Sequence, residues 1–136
     1  MPLRTDDSTI KNDHWLLRRL IYAWVVSGEN GPRVSSAAFK DALREVSVDL
    51  RHLVEGDPLT STPEHLGLAE IQASVPRSLG HAVVHDPEFK ATNPKLEADN
   101  PAHALICEPP DRPKKSRLRD AKEMANQAKI LKRPPR

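Results

Sequence analysis

Three of the chain's six histidines fall within GHAVVHDPEFKATNPKLEADNPAHALICEPPD, Gly80 to Asp111. They are His81, His85 and His103. Two imidazoles a few ångströms apart can serve as acid and base on a phosphodiester or nucleotide, because their pKa values straddle neutrality. His81 and His85 are four residues apart, so on a strand they share a face but stand about 13 Å from each other. One metal ion cannot take both. His85 and His103 come from different strands and meet only if those strands are neighbours; Asp86 would then be placed to orient a ring. Against catalysis stands a plainer reading, in which strand histidines bond to water or backbone and perform no reaction. The plainer reading carries more weight.

The remaining reactive residue types offer less. Cys107 is the sole cysteine, and inside LICE it reads as a small buried hydrophobe rather than a nucleophile or zinc ligand. No HxH, HExxH or CxxC spacing occurs, so no metal site is expected. Nor is a cofactor, since there is no GxSxG and no Gly-rich phosphate loop among only five glycines. Ser35-Ser36 fits the polar face of a strand or a turn. Arg18 and Arg19, inside WLLRRLIY, point to opposite faces if that segment is a strand. One of them is then able to grip an anion bidentately, although snorkelling over the sheet toward a carboxylate is the preferred reading.

Charge supplies the strongest signal. Residues 112–136 hold ten Lys/Arg and two acids, a net of +8, whereas residues 1–111 hold eleven Lys/Arg and seventeen acids, a net of −6. Lys114, Lys115, Arg117, Arg119, Lys122, Lys129, Lys132 and Arg133 surround a narrow apolar stripe of Leu118, Ala121, Ala125, Ala128 and Ile130 or Leu131. Phosphate backbones reward such an array through counterion release, with no base contacts needed. No aromatic residue follows Phe89, so sequence-specific single-strand recognition by the tail is not expected. A solvated face and a clamp on the acidic body remain open as rival readings. A membrane surface does not, because the apolar face is mostly Ala.

The elements that must position these residues follow from pattern. Residues 1–12 are polar and aperiodic and read as a mobile arm; residues 13–111 form the body and 112–136 the basic helix and tail. WLLRRLIYAWVV followed by Asn30-Gly31 predicts strand, turn, strand, with VSSAAF as the return. Val46, Val48 and Leu50 alternate with Ser47 and Asp49, a half-buried strand. Thr62-Pro63-Glu64 predicts the start of a short middle helix over LGLAEIQASVP. AVVHD and AHALICE predict two further strands. Lys114 to Leu131, without internal Gly or Pro, predicts one continuous helix. The fold class is α+β: a small mixed or antiparallel sheet, a short middle helix and an amphipathic basic C-terminal helix.

The pattern VSSAAFKD, SVDL, HDP and NPAHALI resembles a group of uncharacterised small bacterial proteins. The resemblance implies a bacterial or phage-related source and brings no activity with it.

At 136 residues, with 38% apolar and 4% aromatic composition and 13 prolines, the chain fits one small domain with a thin aliphatic core. The first 14 residues lack a secretory apolar segment, and no apolar run approaches the roughly 20 residues of a membrane span. A soluble, cytoplasmic protein is expected. The leading functional expectation is an accessory interaction protein that binds nucleic acid, or an adjacent-gene protein partner, through the basic helix. The alternative is a metal-independent enzyme on phosphodiester or nucleotide substrates, with His103 and His85 as acid and base.

Overall fold

The computed structural model describes residues 4–136. Its centre is a six-stranded sheet in the order β6-β7-β4-β1-β5-β8, every neighbouring pair antiparallel. The strands are β1 (Trp15–Leu20), β4 (Glu45–Leu50), β5 (Gly67–Gln72), β6 (Ala82–His85), β7 (His103–Cys107) and β8 (Lys129–Lys132). A separate hairpin joins β2 (Val25–Gly28) to β3 (Gly31–Val34). Three helices complete the α+β fold: α1 (Pro58–Ser61), α2 (Ser74–Ser78) and α3 (Lys114–Gln127).

Strand alternation decides which side chains meet. Leu16, Leu20, Val46, Val48, Leu50, Ala69, Ile71, Val83, Ala104 and Ile106 fill the inner face. Phe39, from a 3-10 turn at Ser36–Phe39, and Ala121, Met124 and Ala125 of α3 cover them. At about 25 cal/mol per Å² of apolar surface buried, this layer supplies the main drive to fold. The outer face instead carries Leu17, Ser47, Asp49, Leu68, Glu70 and His103, as their cross-strand registers require.

The return strand of the hairpin is Gly31–Val34 rather than VSSAAF. Positive φ falls on Gly31 at 104°, a conformation that glycine adopts without steric cost. Ser35 then accepts a hydrogen bond from the Ala37 backbone N–H and starts the 3-10 turn.

The expected middle helix is corrected. Leu68 and Ile71 instead belong to β5, buried almost throughout between β1 and β8. A short continuous apolar run is ambiguous between helix and buried strand, and the two flanking strands settle it. Only α2 remains helical in that stretch. The helix start lies one turn earlier, where Asp57 accepts from Leu59 N–H with Pro58 at the first helical position. Thr62 closes that turn rather than opening it, donating its hydroxyl to the Pro58 carbonyl.

The C-terminal helix is shorter than expected. It stops at Gln127, and Lys129–Lys132 turns back as β8 to pair with β5. Leu118 is 39% exposed, whereas Met124, absent from the expected stripe, is 1% exposed.

The N-terminal arm also packs. Ile10 is buried in the core, and Asp6 and Asp7 bond the backbone of Val83 along the edge of β6. The first three residues of the expected arm lie outside the described ones. An edge strand exposes unpaired backbone groups, and this segment covers some of them.

Candidate functional site

Helix α3 turns Lys115, Arg119 and Lys122, spaced i, i+4 and i+7, to one side, with Lys114 at its first turn. All four are exposed, and none makes an ion pair among the described residues. Over 14 residues the helix runs about 21 Å. Lys129 and Arg133 are exposed beyond it.

Two of the expected cations have other employment. Arg117 donates to Glu108 at 2.6 Å and to the Asp41 carbonyl, which fastens the start of α3 to the body. Lys132 donates to the Pro63 carbonyl at 3.2 Å. The opposite side of the helix holds a buried ionic cluster that sequence reading missed. Asp120 lies 2.8 Å from His81 Nε2 and 3.2 Å from Arg112 Nε, and Arg112 also bonds the Leu79 carbonyl. The basic face is thus presented by a helix with fixed orientation.

The histidines separate. His85 pairs in register with Ala104, so it lies on the inner side of the sheet, while His103 lies on the outer side opposite Asp49. Adjacent residues of a strand point to opposite faces, and the structure does not bring His85 and His103 together. His85 Nε2 donates to the Pro101 carbonyl at 2.6 Å. His81 belongs to the α3 cluster. Elsewhere the fold joins two histidines with no signal in sequence: His14 and His52, whose rings stack at 3.9 Å. Burial and the charges of His14 and His85 lower the pKa of His52.

On the outer face, His103 Nδ1 lies 2.8 Å from the Asp86 carbonyl and 3.4 Å from its carboxylate. A carbonyl only accepts, so Nδ1 carries the proton and Nε2 is the open nitrogen. It stands 3.8 Å from Glu88. His103 borders a recess of about 270 Å³ that continues into a cleft of about 720 Å³, both lined by Leu17, Arg19, Asp49, Glu88 and Asn100. Asp49 accepts from the Asn100 amide at 2.9 Å. Arg19 has no ion pair among the described residues.

Backbone pairing of β1 with β4 is confined to Leu16↔Leu50 and Leu17↔Asp49. Past that point Arg18 spans the two strands, donating to the Ser47 and Ala38 carbonyls while its guanidinium lies 4.7 Å from the Trp24 ring centre. Burial lowers its pKa, opposed by the charge of Asp41. Backbone carbonyls, rather than the expected carboxylate, satisfy it.

Cys107 is buried on the outer side of β7, and burial together with Glu45 pushes its thiol up to about 11. It is a poor nucleophile at neutral pH. Among the described residues no group of three or more His, Cys, Asp or Glu is arranged to hold a metal ion, and no helix is long and apolar enough to cross a membrane. Compared with known proteins, the chain matches no family model, no curated protein and no solved structure.

Proposed function

We propose that this protein binds nucleic acid through the phosphate backbone, using the outer face of α3. The observation that carries the reading is the row Lys115, Arg119 and Lys122, joined by Lys114. These exposed cations have no acidic partner among the described residues, and their helix is held in place by Arg117 and Asp120. Fixed cations in a row neutralise successive phosphates and release counterions. The acidic body repels the same polyanion and so directs it to this face. Binding is largely independent of sequence, because contacts to the phosphate backbone carry no base information.

The test is fluorescence anisotropy of labelled duplex DNA and RNA across a salt series. Four neutralised phosphates correspond to a fall of about 3 to 4 log units in affinity per decade of salt on duplex DNA. Reversing Lys114, Lys115, Arg119 and Lys122 to Glu abolishes binding, while Arg117 is left intact because it holds Glu108. No salt-dependent binding at low ionic strength, or equal binding by the reversed variant, overturns the proposal. Binding to polyglutamate but not to nucleic acid would replace it with an acidic protein partner.

A further inference from the structure

The outer-face cleft has a different electrostatic character from α3. Arg19, Asp49 and Glu88 line one continuous cavity, yet Arg19 contacts neither carboxylate within ion-pair distance. The fold keeps them apart. Leu17, not Arg19, stands opposite Asp49 in the register of β1 and β4, and Asp49 is tethered by Asn100. Asn100 is in turn fixed to Glu88 by two backbone hydrogen bonds of 2.7 and 2.9 Å. A cation and two carboxylates held separately around one recess complement a ligand that carries both signs of charge.

The wider part of the cleft defines the rest of the ligand. Leu17, Leu53 and Leu96 offer aliphatic wall, and exposed Glu55, Glu97 and Asp99 add acidic residues to the lining. A lining that combines one cation, carboxylates and aliphatic wall suits an aliphatic stem that carries both signs of charge. Its volume of about 720 Å³ is within the usual range for small-molecule sites, roughly 300–1,000 Å³.

We infer that the outer-face cleft binds a basic α-amino acid. Its carboxylate lies on Arg19, its α-ammonium between Asp49 and Glu88, and its side-chain cation toward Glu55 and Glu97. His103 borders the recess as a further polar group. No reaction is involved, and the site is independent of α3.

The test is calorimetric titration of the full chain with L-lysine and L-arginine, beside three analogues that each lack one charge of L-lysine. Cadaverine lacks the carboxylate, 6-aminohexanoate the α-ammonium and L-norleucine the side-chain ammonium. L-Lysine or L-arginine is expected to bind saturably, with every analogue at least tenfold weaker. Arg19→Gln and Asp49→Asn are each expected to lose at least tenfold in affinity, with an unliganded melting temperature equal to that of the wild type. Asn at position 49 keeps an oxygen for Asn100, so a folding defect is not confounded with lost recognition. Absence of saturable binding overturns the inference. So does cadaverine binding as tightly as L-lysine, which would mark a general acidic surface, or unchanged affinity in both variants.

Discussion

His81 Nε2 and Asp120 Oδ2 meet 2.8 Å apart inside the protein, with side chains only 1% and 4% exposed. One residue precedes β6 and the other sits in the middle of α3, so the contact fastens the basic helix to the edge of the sheet. Arg112 Nε adds a charge contact 3.2 Å from the same carboxylate oxygen without hydrogen-bond geometry, and among the described residues His81 Nδ1 likewise has no hydrogen-bond partner. A buried carboxylate with two such partners is costly to remove, because its loss strands the groups around it.

Asp120→Ala is therefore expected to destabilise the protein by about 3 kcal/mol, the usual scale for breaking a buried pair from one side. Urea unfolding checks the size. Amide exchange along α3 should rise more than exchange in β4 and β1, which do not touch the cluster.

Gly67→Ala is expected to dislodge the C-terminal tail. A Cβ at Gly67 would lie 2.5 Å from Pro134 Cδ and 2.6 Å from the Lys132 carbonyl oxygen, so β8 or Pro134 must shift. Overpacking of this kind costs about 1–3 kcal/mol. Backbone chemical shifts should change at residues 129–136 and remain nearly constant in α3.

Cys107 in the folded protein should react slowly with a thiol reagent at pH 8. With the thiol pushed up to about 11 from an ordinary 9.0, the thiolate fraction falls roughly 100-fold relative to the unfolded chain. The linkage has a definite sign. A thiol that holds its proton more tightly when folded favours the folded state below pH 9, and this contribution is lost as pH rises from 9 to about 11. Reaction rates in buffer and in urea give the comparison.

Acid should weaken the protein slightly through His52, an exposed ring whose contribution solvent screens. Its pKa is lowered by burial first, then by His14 and His85, so the unfolded chain takes up the proton more readily. The contribution to stability is full above the ordinary value of 6.5 and declines as pH falls through that value toward the lower folded pKa. His52→Gln should reduce the fall in melting temperature between pH 7 and pH 5. An unchanged profile in the variant would remove His52 as its source.

Several features were legible in sequence because they depend on neighbouring residues alone. Asn30-Gly31 marked the hairpin, since left-handed φ favours glycine. Val46, Val48 and Leu50 marked the buried face of β4 by strict alternation. AVVHD and AHALICE marked β6 and β7, and the uninterrupted helix formers after Pro113 marked α3. The charge split was a matter of counting. Only tertiary structure decided the rest. GLAEIQ became β5 because β1 and β8 lie on its two sides, which no local propensity encodes. Ile130 and Leu131 left the helix for β8 because the edge of β5 offers a pairing partner to this segment, Ala69 to Ile130 and Leu68 to Lys132. The separation of His85 from His103 rested on register: shifting a strand by one residue moves every side chain to the other face. The recess that joins Arg19, Asp49, Glu88 and His103 draws on three strands and a loop. Residues so far apart in the chain become neighbours only when cross-strand pairing sets their distances.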